Sequence, residues 1–259
     1  MMKKVEWILA VFLFLSFSAP SFAEETIRIT NAEWAPYTSE RLKYNGVASR
    51  VASEAFALMG VKVIYEFYPE ARAYDLAKKG EWDASIAWSI FPEREKDFWG
   101  ADPVFEGYNV FFHLKSKPFD WKTVDDLKGI PIGATLAFAY SKWFKPAEES
   151  GKIMVERVGS DEINFRKLLQ HRIDIFPVNL EVGYFTLKLY FSPEEVAQVT
   201  HHPLGLNDKS GYGVIFSKSV KRNEQLVPLF NEGLKKLKVS GKYDQYFEES
   251  RRGDYILKK

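Results

Sequence analysis

Strand-like and helix-like segments alternate along this chain, break at a polar stretch and then resume, and this pattern limits the fold more than any other feature. "TIRIT" (26–30) alternates apolar and polar residues as a half-buried strand does. "VASRVASEAFALMG" comes next, with Val47, Val51, Ala55 and either Leu58 or Met59 at helical spacing and Gly60 as a stop. "VKVIYEFY" (61–68) predicts a second strand, and a helix over roughly 70–79 ends at Gly80. Trp82 to Ile90 is then nearly continuous in its apolar character, as buried parallel strands are. Strands separated by helices imply βαβ units and a sheet covered on both faces.

A further strand, "YNVFFHLK" (108–115), leads into the Pro-containing "SKPFDWKTVDD", which reads as a crossing between domains. The alternation restarts with "GIPIGATL", and "IMVERV" is a strand. A helix over 160–171 capped by Ser160 comes next, then the strand "RIDIFPV" and a helix over 180–190. "GYGVIFSK" (211–218) is another long strand. The chain closes on an amphipathic helix carrying Leu226, Phe230, Leu234 and Leu237, with Pro228 weakening its start. Two extended crossings enclosing a middle segment predict an α/β chain of two lobes, each a mostly parallel sheet flanked by helices and joined by two hinge strands. The boundaries expected are 24–112 plus 213–259 for the first lobe and 113–212 for the second.

The first 23 residues have a different character: Lys3 and Lys4, an apolar stretch from Trp7 to Phe17, and small residues at Ser21 and Ala23. This is the layout of a secretory signal peptide cut after Ala23, with an uncleaved anchor as the alternative. The apolar stretch is shorter than the roughly 20 residues a membrane-spanning helix needs. Removing Lys3, Lys4 and Glu6 from 36 basic and 35 acidic residues leaves 34 of each, which argues against a nucleic-acid partner. With no cysteine, disulfides, thiolate metal sites and a lipidated cysteine are excluded, so the expected product is periplasmic and unanchored. Aromatic residues make up 16 %, more than a core needs, which leaves some to line a binding surface.

The stretch "GEWDASIAWSIFPEREKDFWGADPVF" (80–105), then "TVDDLKGIPIGAT", "LLQHRIDIFPVN", "GYGVIFSK" and "LKKLKVSGKYDQYFEE", in that order, resembles the bacterial extracellular solute-binding proteins of family 3. The resemblance runs over nearly the whole chain after the leader. It implies a two-lobed type II periplasmic binding fold that closes on a small solute, a membrane permease or sensor receptor as partner, and a monomer. In relatives the arginine of this motif grips the ligand's carboxylate, and Arg94 falls there. Its planar fork suits a carboxylate, and a place just beyond a parallel strand suits a ligand crevice. Ser89 stands where relatives offer a hydroxyl to the same carboxylate.

The resemblance also implies an aromatic shelf at Trp34 and Tyr37 in "AEWAPY", rings that join apolar area to a polar handle. Trp88 faces either the pocket or the core. In "YPEARAY", Glu70 stands where many relatives have tryptophan, and Arg72 lies two residues on; both read as polar ligand contacts or as a surface pair. The turn "GATLAFAYS" (133–141) would offer backbone N–H groups to an anion, with Phe138 where relatives carry a hydroxyl. Asn179 takes the place of an aspartate that pairs with the ligand's ammonium in amino-acid binders, which makes an ordinary α-amino acid a doubtful ligand.

His201 and His202 are neighbours on a strand and point apart, a poor metal pair. No HExxH, GxSxG, Walker or dinucleotide fingerprint is present, so no cofactor is expected. The function expected is non-enzymatic capture of a small carboxylate-bearing or amino-acid-like solute for an ABC importer. A sensory, receptor-coupled role and a dehydratase-like enzyme using Glu70 as acid or base are the alternatives.

Overall fold

The computed structural model describes residues 25–89, 94–136, 138, 140–206 and 210–257; the expected signal peptide, 1–23, lies outside these. The first run of elements is β1 (Glu25–Asn31), α1 (Val47–Ala57), β2 (Val61–Phe67), α2 (Glu70–Lys78) and β3 (Ala84–Ser89), then the short β4 (Phe98–Gly100) and β5 (Phe105–Gly107). The second is β6 (Asn109–Leu114), β7 (Pro131–Thr135), α3 (Phe144–Glu149), β8 (Met154–Val158), α4 (Asp161–Leu169), β9 (Ile175–Asn179), α5 (Leu180–Tyr190), α6 (Pro193–Gln198) and β10 (Val199–Gly205). The chain then returns as β11 (Ser210–Ser217), α7 (Asn223–Val239) and α8 (Lys242–Arg252).

These elements form two mixed sheets flanked by helices. The first runs β2-β1-β3-β11-β4 with β5 also on β11, and the second runs β10-β6-β9-β7-β8. In the first, β1 is parallel to β2 and β3, while β11 returns antiparallel to β3, β4 and β5. In the second, β7 is parallel to β8 and β9, and β6 is antiparallel to β9 and β10. Since β6 pairs only within the second sheet and β11 only within the first, the chain crosses at Tyr108 and between Leu206 and Ser210. "SKPFDWKTVDD" therefore lies wholly in the second half, and neither β6 nor β11 is itself a crossing strand.

Packing explains the helices. Val47, Val51, Ala55 and Phe56 of α1 face the core, and of the two residues expected to close the face, Met59 is partly buried toward α7 while Leu58 is exposed. Against this face lies α7, where a side chain on Gly233 would stand 2.0 Å from the Ala55 carbonyl oxygen, so the two helices meet only because position 233 has none. Leu226, Phe230, Leu234 and Leu237 are buried as the spacing predicts. The helix runs through Pro228, which, like Glu224 one turn earlier, is exposed, so the carbonyl left without its intrahelical donor is not one sealed in the core. A large core cluster and a smaller one of Ala77, Phe98 and Ile215 pack the first half, and two more cover the faces of the second sheet.

Candidate functional site

Two adjoining cavities of about 460 and 240 Å³ open between the sheets, sharing Trp34, Phe138 and Tyr212 in their walls. The first-sheet wall begins with a fault in β3. Ile86 pairs with Val214 and Trp88 with Gly213, so Ala87 is left out of the ladder, at φ +67°. A bulge with its extra residue in the left-handed region bends the strand end and re-aims the residues beyond it. Past this bend, Arg94 is half-buried and donates from one nitrogen, Nη1, to the Ser89 carbonyl and, at 2.8 Å, to the Ser89 hydroxyl. Its guanidinium lies 4.9 Å from the centre of the Trp88 ring, and Trp88 Nε1 donates to Ser85 Oγ at 2.7 Å. A guanidinium aimed by its own strand and backed by an indole is arranged to receive a carboxylate.

Behind this wall stands an aromatic block. Tyr37 stacks on Phe105 at 3.9 Å and Phe105 on Tyr212 at 5.2 Å, both nearly coplanar, while Trp34 meets Phe105 and Tyr212 edge-on. Tyr37 is 1 % exposed, and burial pushes its phenol far above the ordinary range, so it stays a hydrogen-bond donor. That proton goes across to the other half, to Asn179 Oδ1 at 2.9 Å.

The second-sheet wall is built at the ends of β7 and β9. Asn179 caps α5, its Oδ1 accepting from the Glu181 and Val182 amides at 3.1 and 3.3 Å. Asp161, the first residue of α4, accepts from the Thr135 hydroxyl at 2.5 Å, and burial raises its carboxyl above the usual carboxylate range. Phe138 covers both cavities. A second link between the halves lies outside them, where the Arg251 guanidinium of α8 forks onto the Glu181 carboxylate of α5.

Residues 27–250 match the sequence profile of the bacterial extracellular solute-binding proteins, family 3. The chain belongs to that family. Its fold is similar to that of the second substrate-binding domain of Lactococcus lactis GlnP in its open conformation, with 19 % identity and TM-score 0.71 over 88 % of this chain and 96 % of that one. It is similar as well to the unliganded, open L-cystine solute receptor of Neisseria gonorrhoeae, with 20 % identity and TM-score 0.71 over 91 % and 97 %. A histidine kinase sensor domain described as similar to periplasmic binding proteins aligns at 16 % identity and TM-score 0.57, over 90 % of this chain and 97 % of that one. No curated protein sequence matches. The family is one of solute-binding proteins rather than enzymes.

In this family 3 protein the structure brings Arg94, Ser89, Trp88, Trp34, Glu70, Phe138 and Asn179 to the two cavities. Two expected contacts are not there. Tyr37 lies beneath the wall, because the stack with Phe105 takes its face and Asn179 takes its hydroxyl. Arg72 is exposed on α2, 5.1 Å from the Tyr68 ring, because a helix starting at Glu70 turns position 72 away from the cleft. The backbone donors of the 133–141 turn are also differently used: Leu136 N donates to Val158 O, Phe138 N to Thr135 O, and Thr135 N to the Tyr140 hydroxyl. Ala137 and Ala139 lie outside the described residues. Sequence reasoning missed Glu33, Asp161 and Tyr212. Tyr212 had a signal, since it opens the long strand that returns beside β3; Asp161 read only as the acidic first residue of a capped helix.

Proposed function

We propose that this chain is a periplasmic solute-binding protein, exported by a leader over residues 1–23, that captures a small carboxylate-bearing, amino-acid-like solute for a membrane importer. The observation that carries this reading is the Arg94–Ser89 pair at the end of the bulged strand β3, inside a cavity walled by rings from both sheets. A guanidinium beside a serine hydroxyl suits a ligand carboxylate, and Trp34, Trp88, Phe138 and Tyr212 suit its apolar body. The crossing at Tyr108, between β5 and β6, serves as a hinge about which the halves close. Gly107 adjoins it, where a side chain would meet the Tyr212 ring at 2.9 Å and Asn179 Nδ2 at 3.2 Å.

A thermal-shift screen of amino acids, hydroxy acids and simple carboxylates tests the reading. A solute at about 100 times its dissociation constant stabilises the bound form by about 2.7 kcal/mol. The expected result is a response to carboxylate-bearing solutes that Arg94→Ala abolishes without lowering the melting temperature of the ligand-free protein. A carboxylate bound equally well by that variant overturns it.

A further inference from the structure

Positions 161 and 179 face the same cavity with unlike polarity, and this difference specifies the solute more narrowly than Arg94 does. The Asn179 carbonyl oxygen is committed to three donors, the Tyr37 hydroxyl and two amides of α5. Turning the amide over would set its NH₂ against the Glu181 and Val182 amides, which can only donate, so the NH₂ is what Asn179 offers the cavity. A donor there calls for an acceptor and repels an ammonium.

Asp161 is the reverse. One oxygen accepts from the Thr135 hydroxyl, and among the described residues no lysine, arginine or histidine pairs with the carboxylate. A carboxylate held among Trp34, Phe138, Tyr140 and Tyr212 with a single hydroxyl donor is costly until a cation arrives. The charge lining the two cavities points the same way: among the described residues, Glu33, Glu70 and Asp161 face one cation, Arg94. Arg94 lies in the larger cavity and Asp161 in the smaller, on opposite walls, with the rings they share between them.

Resting on the solute-binding reading, we propose that Asp161 binds a positively charged group of the solute and that this group is separated along the molecule from the carboxylate held by Arg94. The solute is then an elongated zwitterion, its two charged ends joined by an apolar segment lying across Trp34, Phe138 and Tyr212. An ammonium on the carbon next to the carboxylate would meet neither Asp161 nor any acceptor of Asn179.

The test uses the whole protein and a matched panel: linear ω-amino acids of four to seven carbons, their α-amino isomers and the parent fatty acids, measured by thermal shift and calorimetry. At least one ω-amino acid is expected to bind the wild type tenfold or more tightly than its α-amino isomer and its parent acid. Asp161→Asn keeps the bond from Thr135 and is expected to lose at least tenfold toward that ω-amino acid while binding the parent acid unchanged, which also shows the variant to be folded. Asn179→Asp is expected to improve binding of the α-amino isomer. Wild-type affinity of Asp161→Asn for the ω-amino acid, a wild-type preference for α-amino isomers, or no response to any member of the panel overturns the assignment. Any of these leaves Arg94 and the solute-binding reading to be judged by the wider screen and by Arg94→Ala.

Discussion

The two walls of the cleft hold their polar groups by different means. On the first-sheet wall Arg94 is fixed locally, by the Ser89 carbonyl and hydroxyl five residues before it and by the Trp88 ring. On the second-sheet wall Asn179 is oriented from both halves, by two amides of its own helix and by a tyrosine belonging to the first. A self-contained anchor keeps its geometry whether the halves are together or apart. Asn179 keeps two of its donors within its own half and takes only the third, from Tyr37, across the gap. Under the proposed function, the first wall would set whether a carboxylate binds, and the second which carboxylate.

The largest effect that would break this division belongs to Arg94. Removing one partner of a shielded, hydrogen-bonded charge pair costs about 2–5 kcal/mol, so Arg94→Ala should lower affinity for any carboxylate solute by at least about thirtyfold. Arg94→Lys keeps the charge but loses the fork and should fall between the two. Calorimetry on the three proteins checks the order. A lysine variant equal to the wild type would mean that charge alone, without the local geometry, makes the anchor.

Tyr37→Phe probes the other wall. It leaves the stack on Phe105 in place and removes one of the three donors to Asn179. A lost buried hydrogen bond costs about 1 kcal/mol, which in a chain of this size lowers the melting temperature by about 2–4 °C. With one donor gone the amide is less firmly oriented, so discrimination between α-amino and ω-amino solutes should narrow while affinity for the parent acids holds. A uniform loss across all three classes would show that Tyr37 supports the cavity as a whole.

The same contrast explains what the sequence disclosed. Strand and helix types came from periodicity, since β1 alternates and α1 and α7 each keep an apolar face, and Arg94 and Ser89 came from the register of the family resemblance. The features that stayed hidden depend on pairing across the chain. The sheet to which β6 and β11 belong could not be read locally, because both are apolar enough for either, and only their hydrogen-bonded neighbours decide which they join. Tyr37 looked like a ligand shelf because its partner is 142 residues away. Asp161 looked like a helix-start residue, and it became a site residue only when α4 was brought to the cleft opposite Trp34 and Tyr212.

A smaller effect bears on the local anchor. Ala87 stands at φ +67°, where an L-residue with a Cβ is strained by roughly 1–2 kcal/mol and glycine is not. Ala87→Gly should keep the bulge and, after the extra chain entropy glycine loses on folding, gain about 1 kcal/mol or less. Thermal unfolding checks the sign. If the bulge aims Arg94 by shape alone, affinity should be unchanged in the relaxed variant; a loss of affinity with a gain in stability would mean that the strain itself holds the anchor in place.

The smallest effect separates the halves by pH. All four histidines, His113, His171, His201 and His202, fall in the second half. The His201 ring is held below its ordinary pKa, first by burial and then by His113, and its Nδ1 lies 2.6 Å from the Tyr184 hydroxyl. With the folded pKa depressed, the unfolded chain takes up the proton more readily, so stability from this group is fully present above about pH 6.5 and is lost as pH falls through the folded value. Because the ring is only partly buried, the loss should stay below about 1 kcal/mol. Hydrogen exchange at neutral and mildly acidic pH, corrected for intrinsic rates, should show amides of β6 and β10 opening more readily in acid while β1 and β3 do not change. His201→Gln should remove most of that difference. An equal acid response in both sheets would place the titrating groups elsewhere and make the halves one cooperative unit.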